Sequence, residues 1–109
     1  MNKKITILGN ELAISFNMAV QIEFEDISGH PFDFDILDTQ KATMQLCYAS
    51  LKASNDSVPF TFDEMIKQLG VEETANLKTA VIEAMNDWFN VPKVLQEQQQ
   101  KQSEDAAKN

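Results

Sequence analysis

The best candidates for a metal site in this chain are His30, Asp33, Asp35 and Asp38, with three carboxylates within six residues. Hard cations such as calcium take oxygen ligands, so binding a divalent ion is the chemistry such a stretch would serve. A calcium loop of the EF-hand type also needs Gly at its sixth position and Glu at its twelfth. Counted from Asp33, those positions hold Asp38 and Met44. The acids are therefore read as the wet face of an extended segment, with Asp38 helping to cap the following helix, and no metal or cofactor is expected. Glu23, Glu25 and Asp26 form a second acidic group. General acid–base work needs two carboxyls in different environments so that one is held protonated. Neighbours on one charged helix are solvated alike, so a solvated surface is the preferred reading. Cys47, the single cysteine, sits between Met44 and Tyr48 with no positive charge near it in sequence, which favours a core thiol over a reactive one.

The remaining inventory points the same way. Among 109 residues there is no Arg, one His, and 17 Asp/Glu against 9 Lys. Arg is the usual fork for carboxylate and phosphate, and catalysis draws most often on His, Cys or paired acids. No glycine-rich phosphate loop, zinc spacing or nucleophile elbow is present. The net charge is −8; residues 93–109 carry three Lys and three Asp/Glu, so all of that charge sits on residues 1–92. An acidic body repels nucleic-acid backbones and anionic lipids. These features predict a non-enzymatic protein that meets other proteins, binding neither nucleic acid nor membrane. The apolar run at Ile5–Leu8 is too short for a signal peptide, no window approaches a membrane span, and a lone thiol suits a reducing compartment. A cytoplasmic protein is expected.

The elements that must position these residues are legible from spacing. Ile5 and Ile7, then Leu12, Ile14 and Phe16, alternate on either side of Gly9-Asn10, predicting a β-hairpin over Lys3–Phe16 with Gly9-Asn10 as its turn. Asn17 can cap a first helix to about Ile27, with Met18 and Ile22 continuing toward Glu25 or Asp26 as its stripe and Gly29 ending it. Phe32, Phe34 and Ile36 alternate with Asp33 and Asp35, which reads as a short strand or extended segment. After Asp38-Thr39, the spacing of Met44, Cys47, Tyr48 and Leu51 predicts a helix to about Ala53. Thr61 and Glu64 form a capping box before Met65, Ile66 and Leu69, and Gly70 stops that helix. Leu77, Val81, Met85, Trp88 and Phe89 predict a last helix over Glu72–Phe89, ended by Asn90 and Pro92.

The expected architecture is thus α+β, mostly α: an N-terminal hairpin packed on about four helices, as one domain over residues 1–91. Residues 92–109 form a Gln-rich polar tail that cannot bury enough apolar area to offset its ordering entropy, and it is expected to be flexible. Trp88, Phe89, Val94 and Leu95 are the candidate partner-binding residues, since Trp is enriched in binding hot spots; core packing is the favoured reading of Trp88-Phe89, and the exposed anchor its functional alternative.

The opening KKITILGNELAISFNMAVQIEFEDISGHPF resembles the tail assembly chaperones of long-tailed bacteriophages and prophages, through a hairpin followed by the phrase Ile22-Glu23-Phe24-Glu25-Asp26-Ile27-Ser28-Gly29-His30-Pro31-Phe32. LCYASLKASN (residues 46–55) and FTFDEMIKQL (residues 60–69) resemble the family's middle and third helices. The resemblance spans roughly residues 3–90. It implies a non-enzymatic protein of the host cytoplasm that binds the long, helical tape-measure protein, helps tail-tube subunits assemble around it, and is absent from the finished particle. It transfers no site residue by position, and it leaves self-association open. The rival from another class is an acidic inhibitor that imitates DNA against a basic host factor, which would need carboxylates at phosphate-like spacing over one face.

Overall fold

The computed structural model describes residues 3–89, so the expected tail, with Val94 and Leu95, lies outside the described residues. Strands β1 (Lys3–Ile7) and β2 (Asn10–Ile14) form an antiparallel pair, followed by α1 (Met18–Ser28), a 3-10 helix (Phe34–Asp38), α2 (Gln40–Ser54), α3 (Phe62–Gln68) and α4 (Val71–Phe89). This is the α+β, mostly helical architecture that the spacing predicts, hairpin included.

The central element is α2. It buries Thr43, Met44, Leu46, Cys47, Ala49, Ser50 and Leu51, which is more than one stripe, because α1, α3, α4, β2 and the 3-10 helix all lie against it. The hairpin is laid on this helix and on α4, with Ile7, Leu12 and Ile14 facing the core. Glu83 of α4 pairs with Lys3 at 3.0 Å, and the Glu73 carboxylate accepts the Leu8 N–H at 3.0 Å. α4 contributes Leu77, Val81, Ala84 and Met85 to the same core. Three of the four helical methionines (Met44, Met65 and Met85) are buried, and Met18 is exposed.

A two-stranded sheet leaves hydrogen-bonding groups on its outer edges, and α2 serves one of them. The Ser50 hydroxyl accepts from the Ser15 N–H (3.2 Å) and donates to the Ser15 carbonyl (2.6 Å). Five residues on, the Asn55 amide accepts from the Ala13 N–H (2.9 Å) and donates to the Ala13 carbonyl (3.0 Å). Ala13 of β2 and Ser15, the residue just past its end, are thus satisfied by side chains where a third strand would otherwise stand.

The turn falls one residue earlier than expected. Ile7 pairs with Asn10, so Leu8 and Gly9 are the loop residues, both at positive φ (50° and 81°), the type I′ pattern. Either register puts Ile5, Ile7, Leu12 and Ile14 on one face, so alternation does not choose between them. The turn itself decides: the Asn10 amide donates to the Leu8 carbonyl at 3.0 Å, and Glu73 holds the Leu8 N–H.

The stripe of α1 is also corrected. Val20 and Phe24 are buried with Ile27 partly so, a set at i, i+4, i+7, while Met18 and Ile22 are 56% and 53% exposed on the opposite side. Asn17 caps α1, accepting from the Val20 N–H at 3.1 Å, and Gly29 takes the left-handed conformation (φ 76°) at its end. Residues Phe34–Asp38 form a 3-10 helix and not an extended strand, because the Asp33 carboxylate accepts the Asp35 N–H (2.8 Å) and starts a turn. The cap of α2 belongs to Thr39, whose hydroxyl accepts from the Ala42 N–H, and not to Asp38. The capping box at Thr61 and Glu64 is present in both directions, at 3.1 and 2.8 Å. α4 begins at Val71, directly after Gly70, whose carbonyl accepts from the Thr74 N–H.

Candidate functional site

The side chains with chemical potential are dispersed or put to structural use. His30, Asp33 and Asp35 line one shallow cleft of about 340 Å³, while Asp38 lines another, of about 250 Å³, beside Lys78. Asp33 is occupied in starting the 3-10 helix. Among the described residues no three His, Cys, Asp or Glu side chains stand in a metal-holding group. No described helix is long and apolar enough to cross a membrane.

Cys47 is buried in α2, as its place in the apolar stripe predicts, and burial pushes its thiol up to about 12 from 9.0, against a smaller opposing influence from Lys78. A thiol held protonated at neutral pH is a poor nucleophile. Its folded pKa is raised, so its contribution to stability is complete below pH 9.0 and is lost progressively as pH rises through about 12. In urea titrations at rising pH above 9, wild type is expected to lose stability faster than Cys47→Ala, approaching about 1.4 kcal/mol per pH unit of difference. Parallel slopes for the two proteins would contradict this. The Tyr48 hydroxyl donates to the Phe60 carbonyl at 2.8 Å; its pKa is raised by burial and then by the charges of Glu64 and Glu23.

The most distinctive surface lies at the C-terminal end of α4, where six aromatic rings meet. Phe16 comes from the end of the hairpin, Phe24 from α1, Phe32 and Phe34 from the connection to α2, and Trp88 and Phe89 from the last turn of α4. Trp88 stands edge-on to Phe16 (5.7 Å between centroids) and to Phe89 (4.9 Å). Phe89 stacks on Phe32 at 6.5 Å and meets Phe34 at 5.2 Å. Such ring pairs contribute about 0.5–1.5 kcal/mol each beyond their buried area. The cluster is graded: Phe16 and Phe24 are buried, Phe32, Trp88 and Phe89 half-buried, and Phe34 is 58% exposed between the exposed carboxylates of Asp33 and Asp35.

Trp88 and Phe89 therefore serve the core and also border solvent. Phe34 was missed by sequence reasoning, because the extended reading turned it inward with Phe32; the signal available was its place between two acids. Met18 and Ile22 are also exposed large apolar side chains, both on α1.

Compared with known proteins, the chain matches no family model, no curated protein and no solved structure.

Proposed function

We propose that this chain is a tail assembly chaperone of a long-tailed phage or prophage, acting in the host cytoplasm by reversible protein–protein contact. It holds the helical tape-measure protein while tail-tube subunits assemble, and it leaves before the particle is complete. The observation that carries the reading is the graded aromatic cluster, which offers a solvent-facing rim of Phe34, Trp88 and Phe89 on an acidic, Arg-free body. An apolar rim can hold an aggregation-prone client, and the surrounding charge keeps the complex in solution. The phrase that carries the resemblance, Ile22–Phe32, spans the end of α1, its Gly29 cap and Phe32 of the cluster. A rim of one exposed and two half-buried rings beside carboxylates also fits a client holder better than an imitation of DNA, whose face would be acidic throughout.

The test is co-expression with the product of the longest reading frame just downstream, followed by solubility and size-exclusion analysis. The client is expected to become soluble and to co-elute with this chain. Trp88→Ala and Val94→Asp are each expected to lower the recovered complex by about tenfold, the scale of a hot-spot truncation. A client that stays insoluble, with no complex formed, would sink the reading.

A further inference from the structure

The outward face of α1 combines two features that define a partner. Met18 and Ile22, four residues apart, form an exposed apolar ridge facing away from the buried Val20 and Phe24. Glu25 and Asp26, three and four residues beyond Ile22, continue the same face and are exposed. The helix carries three acids and no basic residue, and none of its carboxylates is in an ion pair among the described residues. Scattered exposed apolar residues are ordinary, but a ridge that runs into unpaired charge on one helical face is a patterned surface.

We propose that this face is a docking surface for an amphipathic helix whose apolar residues, at i, i+3 or i+4 spacing, are followed one turn on by Lys or Arg. A helical ridge of i, i+4 side chains packs into the groove of another helix, whereas α1 offers no free backbone edge for an added strand. The partner's cations meet Glu25 and Asp26, which sets its direction along α1 and makes encounter salt-dependent. Identifying that helix with the chaperone's client rests on the functional reading above; the recognition itself does not.

The probe is a fluorescein-labelled synthetic peptide of about 18 residues, long enough for several helical turns, with a Leu stripe flanked by Lys. A second peptide replaces each Lys with Glu. Titrated with the full chain at physiological salt, the basic peptide is expected to bind and the acidic one not to. Met18→Gln/Ile22→Gln should weaken binding about tenfold with the charge unchanged, and Glu25→Gln/Asp26→Asn should flatten the salt dependence. All four positions are exposed, and circular dichroism verifies that each variant folds. Absence of binding, or affinity unchanged by Met18→Gln/Ile22→Gln, overturns the proposal. So does concentration-dependent dimerisation abolished by that pair, which gives the face to a second copy. Binding that emerges only after removal of residues 90–109 gives it to the chain's own tail, with the same consequence. The two readings fail separately. A downstream client solubilised equally by wild type and Met18→Gln/Ile22→Gln removes the α1 face and leaves the chaperone function. Peptide binding through α1 without solubilisation of that client does the reverse.

Discussion

Ser50→Ala is expected to destabilise the protein by about 2–3 kcal/mol, although it removes a single oxygen atom from a helix and improves helix propensity. The Ser50 side chain is fully buried and is the partner of both the N–H and the carbonyl of Ser15, itself 7% exposed. Alanine leaves that donor and acceptor without partners where water has little access, and an orphaned buried group costs about 1–3 kcal/mol. Asn55→Ala should cost somewhat less, because Ala13 is only half-buried and water can replace part of the loss. A double-mutant cycle, read by urea midpoints at constant slope, should show coupling of at least about 0.5 kcal/mol, since both side chains hold one strand to one helix. Ser50→Ala within about 0.5 kcal/mol of wild type would show that the strand edge finds other partners.

Phe24→Ala is expected to be more damaging still, at about 3–5 kcal/mol. Its ring is 1% exposed on the core face of α1 and meets Phe32 edge-on at 6.3 Å. Against a typical domain stability of about 5–15 kcal/mol, that loss brings the chain close to unfolding. Ile22→Ala, two residues away on the opposite face, should stay within about 0.5 kcal/mol of wild type. The contrast tests the orientation of α1 directly. Phe24→Ala should also change the fluorescence of Trp88, the single tryptophan, because Phe32 and Phe89 link the two positions. An Ile22→Ala penalty as large as that of Phe24→Ala would mean that the helix is rotated.

Elements whose signals are local were legible in the sequence. Asn17, Gly29 and the Thr61–Glu64 box act on backbone groups within a few residues, so their chemistry is written in the chain itself. The last helix was legible because its apolar stripe is long and regular. Readings that depended on a choice between two equivalent patterns failed. Both hairpin registers keep the same apolar face, and the deciding group, Glu73, is 65 residues from Leu8. Met18-Ile22 and Val20-Phe24 are both i, i+4 pairs, and only contact with α2 selects the second. Phe32–Ile36 alternates as a strand would, but no neighbouring strand is there to receive it among the described residues, and the Asp33 carboxylate starts a turn in its place. Of the candidate site, Trp88 and Phe89 could be read directly, while Phe34 required the fold.

The way β2 is completed has a consequence for the protein's behaviour in a crowded cell. An unpaired strand edge is a template on which another chain can add a strand, the first step of aggregation. Proteins commonly blunt such edges with charge, proline or a bulge, whereas this one relies on a serine and an asparagine delivered by a helix. That protection is conditional. Whenever α2 lifts away, the shield leaves with it, and the hairpin becomes sticky at the moment the core opens. Variants at Ser50 and Asn55 should therefore precipitate faster than their loss of stability alone would predict, and faster than Phe24→Ala when each is compared at the same unfolded fraction.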